Sequence, residues 1–213
     1  MIGFYDYTVI ATYLGVASSF LGMTLLTRPS LIRYAICCLM FSGFCDMFDG
    51  KIARSKKNRT NAQKAFGIQI DSLADVICFG VFPALINYTL SGGNRIIGTI
   101  TSIIFVLCGL IRLAYFNVME EERQQQTTEC RKYYQGMPIT SISVILPTVY
   151  LLKYLLHIKS NWSLLFNGVM LVTAILFVVN FKFKKPTNRE LVFLTIFGAI
   201  ILIAIVQLGG FRK

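Results

Sequence analysis

The sequence predicts an all-α fold, a polytopic transmembrane helical bundle, from three observations. Of its 213 residues 55% are hydrophobic and the mean hydropathy is +0.63, too apolar for a soluble domain of this size. Runs free of Asp, Glu, Lys and Arg recur, among them Tyr7–Thr27, Asn161–Phe181 and Leu191–Phe211, each near the ~20 residues that a bilayer-spanning helix needs. The 21 Lys and Arg, which outnumber 10 Asp and Glu, sit almost entirely between those runs.

Seven spans follow in order. The first, about 7–27, has no basic leader and no A-x-A cleavage site before or after it, so it is expected to be retained rather than removed as a signal peptide. The second, about 31–54, takes the apolar run Tyr34–Cys45 and continues into Asp46 and Asp49. The third, about 66–90, follows a basic polar stretch, carries Asp71 and Asp75 early, and then runs apolar from Val76 to Leu90. The fourth, about 95–119, is uncharged from Ile96 to Ile111 and meets Arg112 near one end. The fifth (139–158) carries the only histidine, His157, near its outer end, and with Tyr154 and with Trp162 of the sixth (162–181) it reads as an interfacial belt. The seventh covers about 190–210, and Glu120–Glu122, between the fourth and fifth, reads as a solvated loop.

The net charge of +11 would suggest nucleic acid in a soluble protein, but here topology accounts for it and no nucleic-acid partner is expected. With the N-terminus inside, thirteen basic residues fall in inner loops, among them Lys51, Arg54, Lys56, Lys182 and Lys184, against seven outside. This positive-inside bias places the aspartate-bearing ends on the cytoplasmic side, on a basic face that attracts anionic lipid. Six cysteines lie mostly in apolar spans with no C-x-x-C pair, so neither a disulfide framework nor a zinc site follows.

The stretch "CDMFDGKIARSKKNRTNAQKAFGIQIDSLAD" holds four of the five aspartates in the chain. A carboxylate near the middle of a membrane helix costs roughly 2.5–3.5 kcal/mol, so this concentration needs an offset. Helical geometry supplies one. Asp46, Asp49 and Ala53 share a face at i, i+3 and i+7, and Gly67, Asp71 and Asp75 stack at i+4 steps on the next span. A short connection makes the two spans antiparallel neighbours, so both acidic faces can converge in one cavity. An oxygen-only donor set suits Mg²⁺, Mn²⁺ or Ca²⁺ rather than zinc or copper, and two divalent ions would neutralise four carboxylates. Gly50, Ala53 and Gly67 leave room for a bulky ligand, and Arg54 is placed to reach a phosphate. Metal, arginine and glycine clearance are the equipment of phosphoryl transfer. The competing reading is the acidic pathway of a cation transporter, whose charged groups usually come from scattered or broken helices near mid-membrane.

The spacing Asp46-x2-Asp49-Gly50-x2-Ala53-Arg54, then Gly67-x3-Asp71-x3-Asp75, resembles the signature of the CDP-alcohol phosphotransferases, integral membrane enzymes of phospholipid synthesis. One departure is visible. The family pattern usually has eight residues between the arginine and the third glycine, and this chain has twelve, Ser55–Phe66, which leaves the shape of the loop over the nucleotide open. "FGIQIDSLADVICFGVFPA", "RLAYFNV" and "YYQGMPI" resemble the serine-using branch, phosphatidylserine synthase, whereas Ser72 and Val76 differ from the D-P-x-A-D-K of the glycerophosphate-using branch.

The resemblance covers about residues 5–185. It implies one integral membrane domain over 1–213, with a six-helix core in 1–185 and an additional C-terminal span in 186–213. It also implies transfer of a phosphatidyl group from CDP-diacylglycerol to the hydroxyl of L-serine, giving phosphatidylserine and CMP. Asp46, Asp49, Asp71 and Asp75 would then hold two divalent cations, Mg²⁺ or Mn²⁺, and Asp75 would be the general base. Gly50, Ala53, Arg54 and Gly67 would border the cytidine diphosphate. A homodimer in a bacterial or archaeal cytoplasmic membrane, with the site facing the cytoplasm, is expected. Glycerol 3-phosphate or an inositol is the alternative acceptor. For the serine, Arg112 is a candidate for the carboxylate, against the alternative that it snorkels to lipid phosphate, with Asn117, Lys132 and Gln135 as polar neighbours.

Overall fold

The computed structural model describes residues 3–4, 7–56, 60–126, 133–156, 162–184 and 187–207. Five of its helical segments are long and apolar enough to cross a bilayer, Tyr7–Leu25, Pro29–Gly50, Asn61–Leu90, Arg95–Arg123 and Arg189–Gln207, and two shorter apolar helical segments, Ile139–Leu155 and Trp162–Val178, accompany them. All seven expected spans are therefore helical. Large apolar side chains such as Ile96 and Phe193 are exposed at 78% and 70%, which a lipid environment explains and water does not.

Helix α1 (Ile10–Leu25) packs tightly on α2 (Ile32–Ser55) because its buried stripe, Ala11, Thr12, Gly15, Ser19 and Gly22, is built of small residues. Within the contact Ser42 Oγ donates to the Gly15 carbonyl at 2.9 Å and meets Ser19 Oγ at 2.9 Å. At Gly22 there is no room for a side chain: a Cβ there would collide with the Phe82 ring and lie 2.9 Å from Cys38 Cβ.

Helix α3 (Asn61–Asp75) begins five residues before the expected start at 66. Thr60 and Gln63 form a capping box, with Gln63 N–H donating to Thr60 Oγ1 at 3.2 Å and Thr60 N–H donating to Gln63 Oε1 at 3.1 Å. Within the polar stretch 55–66, Ser55 closes α2 and residues 61–66 are already helical. After Asp75 the same helix widens into a π segment, Val76–Val81, before α4 (Phe82–Leu90). Pro83 explains the widening: it lacks an N–H and its ring would collide with the carbonyl four residues back, and a wider turn relieves both.

Helix α5 (Arg95–Gln126) has 32 residues, about 48 Å, so it outruns a ~30 Å hydrocarbon core. Both the expected end at 119 and the expected loop at Glu120–Glu122 are corrected: the helix continues through good helix formers, and Glu120 pairs with Arg123 one turn on. Strands were not expected, yet β1 (Tyr133–Gln135) pairs antiparallel with β2 (Lys182–Lys184). Gly136, at φ +70°, follows β1; its N–H donates to the Phe181 carbonyl at 2.8 Å, and a Cβ there would lie 3.0 Å from the Phe177 carbonyl oxygen. This clamp seats the chain before α6 (Ile142–Leu155) against the end of α7 (Trp162–Val178).

The core gathers Ile36, Phe79, Phe82, Phe105, Phe166 and Phe177 between α2, the π segment, α4, α5 and α7. A polar staple sits inside it, where Asn87 Nδ2 donates to Asn167 Oδ1 at 2.9 Å and Asn167 Nδ2 to Ser91 Oγ at 3.1 Å. Helix α8 (Asn188–Gln207) lies against α2 and α6, burying Ile201 and Ile205 and leaving most of its surface to lipid. Lys153 lies over the rings of Tyr154 and Trp162 at 5.7 and 5.8 Å, so two of the three expected interfacial residues do cluster, and His157 lies outside the described residues. Among the described residues Cys37, Cys38, Cys45, Cys78 and Cys108 are free thiols; Cys130 is outside them.

Candidate active site

Two helices bring the acids together. Asp46 and Asp49 occupy one face of α2 near its C-terminal end, and Asp71 and Asp75 occupy the facing side of α3. One carboxylate oxygen each from Asp46, Asp49 and Asp71 lies within 4.8 Å of the others. Asp46 and Asp75 stand within hydrogen-bonding reach of each other, and so do Asp49 and Asp71. The spacing i, i+3 on one helix and i, i+4 on the other makes this possible, because both spacings keep side chains on one face.

The acids open onto a small cavity walled by Gly15, Ser42, Cys45, Ala74, Cys78 and Phe79. Its floor comes from α1, which the sequence reading did not assign to the site. Thr12, 8% exposed, donates from Oγ1 to Asp49 Oδ2 at 3.2 Å. The only hint in the sequence is a hydroxyl inside an apolar run, and such hydroxyls more often bond their own helix.

The site tests its fit to a metal through its donors. Three converging carboxylate oxygens at this separation suit a hard divalent cation, which takes oxygen ligands at 2.0–2.6 Å. The remaining expected residues are distributed as follows. Gly50 and Ala53 lie half-buried along α2 beyond Asp49, and Gly67 lies half-buried on α3 one turn before Asp71. Arg54 is on α2, with its side chain outside the described residues. On α5, Arg112 is buried at 8% exposure, with its guanidinium 6.0 Å from the Phe116 ring centroid. Asn117, one helical turn and a half further, accepts from Ser72 Oγ at 2.9 Å and so contacts the helix that carries Asp71 and Asp75. Gln135 is in β1, with only its backbone described, and Lys132 lies outside the described residues.

Comparison with known proteins identifies the family. A family model described as CDP-alcohol phosphatidyltransferase matches residues 8–180. The chain is 34% identical over 173 residues to a CDP-diacylglycerol–serine O-phosphatidyltransferase of Helicobacter pylori, covering 79% of this chain and 69% of that one. It is 33% identical over 137 residues to a protein of the same description from Saccharomyces cerevisiae, covering 63% and 48%. To an archaetidylserine synthase of Methanothermobacter thermautotrophicus it is 31% identical over 166 residues, covering 78% and 66%.

Proposed function

Since the chain belongs to the CDP-alcohol phosphatidyltransferase family, we propose that it transfers the phosphatidyl group of CDP-diacylglycerol to the hydroxyl of L-serine, releasing CMP. The observation that carries this reading is the convergence of four carboxylates from two consecutive helices at one end of an apolar bundle. The serine-specific names of its relatives favour serine as the acceptor.

In this reading Asp46, Asp49 and Asp71 hold two divalent cations, Mg²⁺ or Mn²⁺, with Asp75 at the edge of the set. When bound, such ions neutralise the pyrophosphate and the charge that develops on departing CMP. The chain's own residues do the rest. Gly50, Ala53 and Gly67 let the cytidine diphosphate approach the backbone, and Arg54 contacts a phosphate. The serine oxygen forms a bond to the β-phosphorus, the bond from that phosphorus to the bridging oxygen breaks, and CMP leaves with that oxygen. The serine proton passes to the Asp75 carboxylate, since a neutral hydroxyl is a weak nucleophile until its proton is taken. Arg112 is the group we assign to the serine carboxylate, and Lys132 and Gln135 are further candidates for contact with serine.

A site of this kind belongs where a lipid and a water-soluble substrate meet, and the basic inner loops favour the cytoplasmic face of a cell membrane. We read residues 1–185 as the family core and α8 as an addition to it. The assembly is a homodimer in this proposal, checked by the mass of the detergent-solubilised particle. The function is tested by CMP release from the purified protein with CDP-diacylglycerol and Mn²⁺ across a panel of alcohols. Release that needs L-serine and stops with chelator supports it. Release with glycerol 3-phosphate or inositol and none with serine moves the chain to another branch, and metal flux in liposomes without any lipid substrate supports the transporter.

A further inference from the structure

The hydrogen bond from Ser72 to Asn117 lies beside the acids, and neither the metal set nor the nucleotide contacts use it. On α3, Gly67 stands about 40° to one side of Asp71, Asp75 about 40° to the other, and Ser72 about 100° round on the Asp75 side. The helix therefore presents glycine, acid, acid and hydroxyl in that angular order. The glycine end borders the nucleotide in the reading above. The hydroxyl end reaches α5 through Asn117. Depth gives a second coordinate. The contact levels Ser72 with Asn117, Asp75 is about 4.5 Å deeper along α3, and buried Arg112 is about 7.5 Å deeper along the antiparallel α5. Asp75 thus lies between the levels of an amide and a guanidinium that both come from α5.

Direction matters in this bond. Ser72 Oγ is the donor and Asn117 Oδ1 the acceptor, at 2.9 Å. With its oxygen occupied, the amide presents its Nδ2 hydrogens elsewhere, and these have no acceptor among the described residues. The group offered on the Ser72 side of Asp75, about one helical turn shallower, is a donor, which suits a carboxylate and not an ammonium.

We propose that Ser72 is a positioning residue: its hydroxyl fixes the Asn117 amide so that the amino group reads the carboxylate of an amino-acid acceptor beside Asp75. This rests on the serine-transfer reading. It adds, beside Arg112, a second group that tells serine from its decarboxylated analogue, ethanolamine.

The experiment uses the full-length protein in detergent with CDP-diacylglycerol and Mn²⁺, comparing Ser72→Ala, Ser72→Thr, Asn117→Ala and the Ser72→Ala/Asn117→Ala double variant. The KM for L-serine, the KM for CDP-diacylglycerol, the Mn²⁺ affinity and the rate ratio of L-serine to ethanolamine are measured. Ser72→Ala is expected to raise the KM for serine about tenfold and to lower the serine-to-ethanolamine ratio by a similar factor, with CDP-diacylglycerol and Mn²⁺ binding unchanged. Ser72→Thr keeps the hydroxyl and restores both values, and the double variant is no worse than Asn117→Ala. An unchanged ratio in Ser72→Ala, multiplicative effects in the double variant, or equal losses for both substrates overturn the proposal while leaving the transfer reading intact. If Ser72→Ala fails to fold, Asn117→Ala with an unchanged ratio overturns it equally. A wild-type protein that uses another alcohol and no serine overturns the transfer reading, and this inference with it.

Discussion

Replacing Asp49 by Asn should make the metal-free protein more stable while removing its response to metal. At the 4.8 Å outer limit of the acid cluster, and an effective dielectric near 20, one pair of charges repels by about 3.5 kcal/mol. Asp49 has two such neighbours, Asp46 and Asp71, so its charge carries about 7 kcal/mol of repulsion when all three are ionised. Solvent and protons take up most of this, and a gain of about 1–2 kcal/mol is the expected remainder. For a chain of this length that corresponds to a rise of about 3–6 °C in unfolding temperature. Asn keeps an oxygen for the Thr12 hydroxyl, so the α1–α2 contact survives. The assay is thermal unfolding in detergent, with chelator and then with Mn²⁺. Wild-type protein gains about 2.7 kcal/mol at a metal concentration of 100 times Kd. The variant starts higher, gains little, and releases no CMP. A variant that starts lower and still responds fully to Mn²⁺ would show that Asp49 serves as a packing partner of Thr12 and not as a ligand.

Three further outcomes are expected. Thr12→Val removes the donor to Asp49 and weakens Mn²⁺ binding about 10-fold or more, measured by titration, with the helical circular dichroism unchanged. Asp75→Asn lowers CMP release at least 100-fold while Mn²⁺ and CDP-diacylglycerol still bind, and near-normal turnover removes Asp75 as the base. Gly22→Ala places a methyl group 2.9 Å from Cys38 Cβ in a packed contact and destabilises the bundle by about 1–3 kcal/mol, read from denaturation in mixed micelles.

Much of the site was legible because helical spacing alone brings Asp46 with Asp49, and Asp71 with Asp75, onto single faces, and a membrane makes such faces costly unless they meet. The spans were legible for a similar reason: their apolar runs are uninterrupted. Where polar residues continue a helix, sequence reading stopped early. The Thr60 cap and the Glu120–Arg123 pair extend α3 and α5 into polar segments through local hydrogen bonds and ion pairing, which hydropathy does not register. Thr12 and Ser72 were missed as working residues because a hydroxyl's role depends on what another helix sets opposite it. The β1–β2 clamp depends on residues nearly fifty positions apart, so no local pattern announces it.

The wide turn at Val76–Val81 shifts phase. Each such turn inserts one residue relative to an unbroken α-helix, so everything from Phe82 onward is rotated by about 100° with respect to Asp75. Asn87 joins the face of Asp71 only with that rotation included: a wheel drawn straight through from Asp71 places it about 160° away, and the wide turn brings it to about 60°. A chain with an unbroken α-helix here would need one residue fewer within Val76–Val81 to set both its acids and its α4 side chains on these faces.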